Sequence, residues 1–389
     1  MVLQAEHNFL ITGDHDEVNR QHYVSRLRMH ILNHIGGGMR KAFEQENKKE
    51  TSKPETGETN LREKILNSNY GKFWSTMMVS CQDMVWESVI PPIERAQPKL
   101  NREISCQKNT LSKLFLNPDL KIPNYLTAVD IHRMPGSYHT ERSNNDASQG
   151  ALYDRGRFIY NAGQAGPFAD GISRTMAEYI SLKWPSFNPK KILELGCTIG
   201  TSTVPFVNKF KKSQVHAIDI SAPVLRYGQA RAEALGKRIY FHQMNAEKLD
   251  FDNGEFDLIF SCIMFHETSR KALPKILKEC HRVLSPKGLM IHAELMPNNN
   301  LKDFDRFYMN WDAFYNNEPF YKTYTSLDPR ELVLNAGFNE GSFFEVAIPD
   351  IDKSSAIEFN KVVSKSSVMS KNTGRVGEGV KWYTFGAWK

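Results

Sequence analysis

The most constraining feature of the sequence is a short apolar run that ends in an acidic residue and a glycine-containing turn. Residues 190–200 read KKILELGCTIG, and a helix-like segment begins near Thr201. This order predicts a strand, a turn and the N-terminus of a helix. Such a turn brings bare backbone close to a ligand.

A second apolar run, residues 214–218, ends in Asp219, which follows Glu194 by 25 residues. A carboxylate at about this spacing is placed to accept hydrogen bonds from both hydroxyls of a ribose. The two runs together therefore predict a binding site for a nucleoside cofactor.

Two further segments make the pattern specific. Residues 244–251 (MNAEKLDF) follow a third strand-like run, and residues 256–261 (FDLIFS) form a fourth. In this order and spacing, the set resembles class I S-adenosylmethionine-dependent methyltransferases over roughly residues 185–295. The run HRVLSPKGL at 281–289 resembles the branch that methylates small molecules, including type 11 methyltransferases and C-methyltransferases of quinone biosynthesis.

The resemblance implies an α/β fold, with a Rossmann-like seven-stranded methyltransferase sheet and a mostly helical N-terminal cap. Apolar runs alternating with helical patterns predict parallel strands joined by right-handed crossovers. The predicted parallel strands are residues 191–195, 214–219, 239–244, 256–262 and 288–295. A final antiparallel pair is predicted at 343–348 and 382–388.

The same reading divides the chain into two regions. Residues 1–185 are predicted to form the helical cap and to bind the substrate, and residues 186–389 to form the methyltransferase domain. Two insertions are predicted in that domain, at 296–325 and 350–379. The first follows the fifth strand, at the carboxyl edge where open α/β sheets bind ligands, so we expect it to form a wall of the pocket.

S-adenosylmethionine is the cofactor that the resemblance implies, and the glycine turn and the second strand carry its first contacts. Glu194 is expected to orient the loop or the methionine amine. Gly196 and Gly200 let the backbone approach the cofactor, and Asp219 accepts hydrogen bonds from the ribose.

The resemblance places five further residues around the cofactor. Asn245 and Ala246 are expected to flank the adenine, and Ser261 to lie near the methionine portion. In the family, the segment before the first strand often closes over the methionine end, so Tyr160 or Gln164 is expected to contact the carboxylate.

One residue departs from the family pattern. Thr198 stands where the loop usually has its central glycine. A left-handed backbone there would cost a β-branched residue about 1 to 2 kcal/mol. Because the other motifs are intact, we predict an ordinary turn at Thr198. The departure is also the only hint of an alternative reading, a cofactor-binding partner protein without turnover.

His266 follows the fourth strand, the usual place for groups that face the substrate. Methyl transfer from a sulfonium has an excellent leaving group, so positioning supplies most of the rate, on the order of 7 to 11 kcal/mol. A positioned base adds roughly 10²- to 10⁴-fold. A neutral imidazole can deprotonate a carbon acid, hydroxyl or thiol, and we therefore predict that His266 is the general base. A structural histidine is the competing interpretation.

A second enzymatic reading is a metal-assisted C-methyltransferase that acts on an acyl or polyketide-type substrate. Its candidate ligands would be drawn from Asp130, His132, His139, His266 and Glu267. These residues come from separate segments that no recognised metal spacing joins, so no metal site is predicted.

The composition of the chain indicates its cellular compartment and the kinds of partner it can bind. No apolar run approaches the roughly 20 residues that cross a bilayer, and the first residues lack the features of a signal peptide. The five cysteines form no Cys-x-x-Cys pair, which fits a reducing compartment. The net charge is +6, and the basic residues are scattered among acids. We therefore expect a cytoplasmic protein with a small-molecule substrate, without nucleic-acid or membrane partners, and a homodimer if the chain self-associates.

Overall fold

The computed structural model describes residues 3–51, 58–298, 301–365 and 380–389. Helices surround one central sheet within these ranges. They are α1 (His15–His30), α2 (Gly36–Thr51), α3 (Glu58–Asn67), α4 (Asn69–Ser105), α5 (Asn124–Thr127), α6 (Ser148–Tyr160), α7 (Gly171–Lys183), α8 (Thr203–Lys209), α9 (Ala222–Ala234), α10 (Leu273–Val283), α11 (Asp303–Tyr315), α12 (Tyr321–Thr325), α13 (Pro329–Asn335) and α14 (Ala356–Ser364).

The described strands form one eight-stranded sheet in the order β1-β4-β3-β2-β5-β6-β8-β7. They are β1 (Lys113–Phe115), β2 (Lys191–Leu195), β3 (Gln214–Asp219), β4 (Tyr240–Gln243), β5 (Phe256–Cys262), β6 (Leu284–Glu294), β7 (Phe343–Pro349) and β8 (Lys381–Trp388). Only β8 pairs antiparallel to its neighbours, β6 and β7. The predicted fold class is confirmed, and each predicted strand has its counterpart.

The sheet has one strand more than the seven predicted. Strand β1 pairs in parallel with β4, with Leu114 opposite Phe241. Its backbone is held by Glu233 of α9, whose carboxylate accepts from Ser112 N–H at 2.5 Å. A three-residue strand carries too little periodicity to be read from sequence. The region predicted to be a helical cap therefore also contributes an edge strand.

Helix α4 is longer than the sequence predicted. The apolar spacing of residues 72–90, followed by Pro91 and Pro92, predicts a helix that ends before the two prolines, but both prolines and Pro98 lie inside α4. An interior proline removes a backbone donor and costs roughly 3 kcal/mol or more. One face of α4 is buried in the largest apolar cluster, and this packing offsets the cost. The predicted end of the helix was wrong.

The cap and the sheet share a hydrophobic core. Trp86 of α4 lies in the same apolar cluster as Val224 and Tyr227 of α9. Gly150 of α6 is packed so closely that a Cβ there would lie 2.3 Å from the Cβ of Tyr227. The division into two domains stays a prediction, and the first part of the chain is built directly onto the second.

Candidate active site

A cavity of about 450 Å³ lies at the carboxyl ends of β2, β3 and β5, where α6 and α11 cover the edge of the sheet. Parallel strands bring the residues that follow them to one edge, which explains why separate motifs meet here. The sequence-predicted residues that line the cavity are Tyr160, Gln164, Gly196, Asp219, Asn245, Ala246 and His266. Glu194, Gly200 and Ser261 are not among the lining residues.

The turn after β2 contains three residues with left-handed backbone. The φ angles are 67° at Gly196, 48° at Thr198 and 73° at Gly200. The predicted ordinary turn at Thr198 was therefore wrong. The Thr198 N–H donates to Asp219 Oδ2 at 2.9 Å, so a charge-assisted hydrogen bond compensates the strain of a β-branched residue in this conformation.

Asp219 is the last residue of β3 and lines the cavity, and its carboxylate already accepts hydrogen bonds from backbone N–H groups. Its second oxygen, Oδ1, accepts from Ser221 N–H at 3.0 Å. Burial raises the pKa of Asp219 to about 6, although the backbone donors oppose the rise. The remaining lone pairs of both oxygens are available to a ligand in the cavity.

Glu194 lies behind the turn. It is 1% exposed and accepts a hydrogen bond from the Thr203 hydroxyl at the start of α8. Burial raises the pKa of Glu194 to about 8. This contact fits the expectation that Glu194 orients the loop. Gly200 likewise serves packing, since a Cβ there would lie 3.0 Å from Phe241 Cζ.

The residues predicted near the adenine line the cavity, whereas the residue predicted near the methionine portion does not. Asn245 Oδ1 accepts from Glu247 N–H at 2.9 Å, and Ala246 beside it is buried. Ser261 is fully buried, and its hydroxyl is paired with His292 Nδ1 at 2.8 Å. The Ser261 side chain is therefore committed to the sheet interior, away from the cavity wall.

Helix α6 brings an arginine to the cavity that the sequence analysis did not single out. The Arg157 guanidinium lies 5.8 Å from the Tyr153 ring and has no hydrogen bond or ion pair with any residue that the structure describes. Although burial raises the pKa of Glu194, the charge of Arg157 acts to lower it. Arg157 therefore lies near the glycine turn, and its spacing of three from Tyr160 on one helix face was the signal that could have revealed it.

Tyr160 and Gln164 also line the cavity. Arg28 of α1 stacks over the Tyr160 ring at 3.8 Å, and Gln164 Nε2 contacts Met29 Sδ at 3.1 Å. Both residues are thus engaged with α1. The predicted contact with the methionine carboxylate stays a prediction for each.

His266 lies in a short 3₁₀ turn after β5 and faces two carboxylates. Its Nδ1 is 3.1 Å from Glu294 Oε2, and its Nε2 is 3.9 Å from Glu318 Oε2. Burial disfavours the imidazolium, but the charges of Glu294 and Glu318 outweigh it and raise the pKa of His266 above its ordinary value. The side chain is only 2% exposed.

His132, which belongs to the cap, also contacts Glu318. Its Nδ1 is 3.2 Å from Glu318 Oε1, and its Nε2 is 3.1 Å from Glu267 Oε1. The Tyr138 hydroxyl donates to Glu267 Oε1 at 3.0 Å. Burial opposes protonation of His132, yet the two carboxylates raise its pKa well above the ordinary value. Sequence reasoning gave His132 as a candidate metal ligand or substrate contact.

The backbone of His132 is left-handed, with φ at 56°, and Arg133 follows with φ at 55°. Two donors from α4 hold the carbonyl of His132, namely Gln82 Nε2 at 2.9 Å and Trp86 Nε1 at 2.8 Å. Strained residues that the surroundings hold in place are frequent at functional sites. The cap therefore fixes the imidazole at a defined point of the cavity wall.

The chemistry of the lining fits S-adenosylmethionine. Gly196 presents bare backbone to the cavity, and its Cβ would lie 2.6 Å from Met264 Cγ, so no side chain could stand there. Asp219 offers a carboxylate to hydroxyls, and Arg157 offers a cation to a carboxylate. When bound, the cofactor supplies an electrophilic methyl group on a sulfonium.

No metal cluster is found among the residues that the structure describes: no three or more His, Cys, Asp or Glu are arranged to hold an ion. Asp130, a candidate in the metal-assisted alternative, instead accepts from Gly136 N–H at 3.1 Å, while His139 lines the cavity. None of the described helices combines the length and apolarity needed to span a bilayer.

Part of this chain is similar to known methyltransferases. Residues 192–288 match the family model described as a methyltransferase domain. Demethylmenaquinone methyltransferase of Thermus thermophilus is 30% identical over 109 residues, which cover 28% of this chain and 49% of that protein. Malonyl-[acyl-carrier protein] O-methyltransferase of Halorhodospira halophila is 29% identical over 111 residues, covering 28% and 36%. An uncharacterized protein of Rickettsia prowazekii is 26% identical over 163 residues, covering 41% and 64%.

These matches span less than two thirds of each relative's own length. A solved structure of human N-acetylserotonin methyltransferase is 14% identical, covers 61% of this chain and 58% of that chain, and has a TM-score of 0.38. The sequence-based recognition of a class I S-adenosylmethionine-dependent methyltransferase is confirmed by the family match.

Proposed function

Residues 192–288 match the methyltransferase-domain family, and we propose that the protein transfers a methyl group from S-adenosylmethionine to a small-molecule acceptor. His266 acts as the general base in this proposal. The acceptor lies under the cap, between His266 and the wall formed by α11.

The observation that carries the proposal is that Asp219 and His266 line one cavity. Asp219 follows β3, where the family holds the ribose, and His266 follows β5. A cofactor held by the glycine turn would direct its methyl group towards the space between them. Positioning of this kind supplies most of the acceleration expected of a methyl transfer.

The first insertion supports the location of the acceptor. Met296, Leu301, Tyr308 and Met309 line the cavity, and Tyr321 packs its ring 5.9 Å from that of His266. An apolar wall with a few convergent polar groups is typical of small-molecule sites. The acceptor would place an apolar body on this wall and its nucleophilic atom near His266.

The test combines binding and turnover. Isothermal titration with S-adenosylmethionine and S-adenosylhomocysteine should show saturable binding, and isotope from methyl-labelled cofactor should appear in a compound of a metabolite extract. The same assay after chelator treatment separates this proposal from metal-assisted transfer. Absence of cofactor binding would refute the proposal, and cofactor binding without transfer to any fraction would favour the partner-protein alternative.

A further inference from the structure

Methyl transfer to an acceptor that carries hydrogen releases a proton, and this cavity gives that proton a defined exit. When the bond between the nucleophilic atom and the methyl carbon forms, the carbon–sulfur bond breaks and its electron pair stays on sulfur. The acceptor's proton goes to His266. Because His266 is 2% exposed, it cannot pass the proton directly to bulk water.

Glu318 stands between the two histidines. Its Oε2 is 3.9 Å from His266 Nε2, and its Oε1 is 3.2 Å from His132 Nδ1. The first distance exceeds a hydrogen bond, so transfer between these two groups requires the Glu318 side chain to rotate. The Asn316 amide nitrogen donates to Glu318 Oε1 at 2.5 Å and also lies 2.8 Å from His132 Nδ1, so it holds these two groups side by side.

The outer two groups of this path are more exposed than the inner two. The side chains of His266 and Glu318 are 2% and 6% exposed, whereas those of His132 and Glu267 are 24% and 17% exposed. The second nitrogen of His132 contacts Glu267. Imidazole and carboxylate alternate from His266 to Glu267, which is an arrangement that can pass a proton by successive hydrogen bonds.

We propose that Glu318 is a positioning residue that joins His266 to His132, so that a proton taken by His266 leaves through Glu318, His132 and Glu267. Glu318 takes the proton from His266 Nε2 on its Oε2 once the methylated product has left, and rotation of the carboxyl group turns the protonated oxygen towards His132 Nδ1. His132 receives this proton on Nδ1 in its neutral form, which carries a proton on Nε2, and that Nε2 proton passes to Glu267. This proton path rests on the proposed function for its source of protons, but its geometry and its test do not need the acceptor.

The charged groups around both imidazoles come from several elements. Glu294 from β6 contacts Nδ1 of His266, and Glu267 lies in the same turn as His266. Tyr138 donates to Glu267 and lies 6.5 Å from the His132 ring. Of these groups, only Glu318 lies within 4 Å of both imidazole rings. Replacing Glu318 therefore interrupts the proton path and leaves the other groups in place.

The experiment uses full-length protein labelled with ¹⁵N-histidine, treated with chelator and saturated with S-adenosylhomocysteine. Long-range ¹H–¹⁵N spectra report the protonation of each ring, with His132→Gln and His266→Gln used for assignment. Glu318→Gln keeps the shape and the hydrogen bonds but cannot carry a proton. It should lower the pKa of both histidines by about one unit, since an opposite charge at this distance shifts a pKa by about 1 to 3 units.

The second readout is exchange of the His266 ring N–H with water. Glu318→Gln should slow it by about 10²-fold, the lower end of what a positioned proton-transfer group contributes, and Glu318→Asp should restore part of the rate. Glu340→Gln, an exposed glutamate paired with Arg330, should change neither readout. A shift confined to His132, or unchanged exchange at His266, would overturn the proposal.

Calorimetry on the same samples separates the two proposals. If S-adenosylhomocysteine does not bind, the proposed function fails, and the spectra of the ligand-free protein still decide whether Glu318 joins the histidines. If it binds equally well to the wild type and to Glu318→Gln, any change in exchange belongs to the proton path.

Discussion

The backbone N–H of Thr198 donates to Asp219 Oδ2 at 2.9 Å, so the residue predicted to hold the ribose also holds the turn that approaches the cofactor. The left-handed Thr198, with φ at 48°, depends on a neighbouring strand for a partner. Cofactor contact and turn geometry are therefore coupled through one carboxylate.

Replacing Asp219 should weaken cofactor binding for two reasons. Asp219→Asn keeps the size of the side chain but loses the charge that serves both the ribose and Thr198 N–H. Hydrogen bonds to charged groups contribute about 1.5 to 3 kcal/mol, and we expect a loss of that size in S-adenosylhomocysteine affinity by calorimetry. Asp250→Asn, at an exposed position, is the control. Wild-type affinity in Asp219→Asn would remove the ribose assignment.

Arg157 should bind the methionine carboxylate. Its guanidinium lines the cavity near Glu194 without a hydrogen-bonded partner among the described residues. Arg157→Ala should lower the affinity for S-adenosylhomocysteine by about 1.5 to 3 kcal/mol and leave binding of 5′-methylthioadenosine, which lacks the carboxylate, nearly unchanged. Arg330→Ala serves as the control. Equal losses for both ligands would assign Arg157 to packing.

The pH dependence of turnover should follow His266. Since Glu294 and Glu318 raise its pKa despite burial, activity should rise with pH and reach half of its maximum at a pH above about 6.5, the ordinary histidine pKa. His266→Ala should lower turnover about 10²- to 10⁴-fold with cofactor affinity retained. His242→Ala, on the sheet away from the cavity, should retain activity. An unchanged rate in His266→Ala would leave the histidine a structural role.

Glu194 should make the fold less stable as the pH rises. Burial raises its pKa to about 8 from 4.5, so the native state keeps a proton that the unfolded chain releases. The stability this contributes is fully present below about pH 4.5 and is lost as the pH rises through about 8. Glu194→Gln retains an acceptor for Thr203, and above pH 8 its free energy of unfolding should exceed that of the wild type by on the order of 5 kcal/mol.

Urea unfolding of both proteins between about pH 5 and pH 9 measures this difference, since the gap between the two curves isolates one group. Glu340→Gln provides the comparison for an exposed carboxylate. A gap that stays constant with pH would show that Glu194 is ionised in the native state throughout.

The sequence alone predicted the fold class, every described strand except β1, and the residues that follow the carboxyl ends of the parallel strands. These features depend on local periodicity and on motifs within one βαβ unit, where Gly196 and Asp219 are fixed relative to the strands they follow. The contacts of Asn245 and Ala246 with the cavity follow from the same rule. Parallel strands end at one edge, so the order of motifs along the chain already determines their proximity.

The tertiary structure decided everything that depends on segments far apart in the chain. Glu318 and His132 are separated by 186 positions and meet only because α11 and the cap close over the same edge. Thr198 adopts a left-handed conformation because Asp219 stabilises it. Helix α4 continues through its prolines because one face of the helix is buried. Charges, strain and burial of this kind are set by three-dimensional neighbours, and no local pattern in the sequence encodes them.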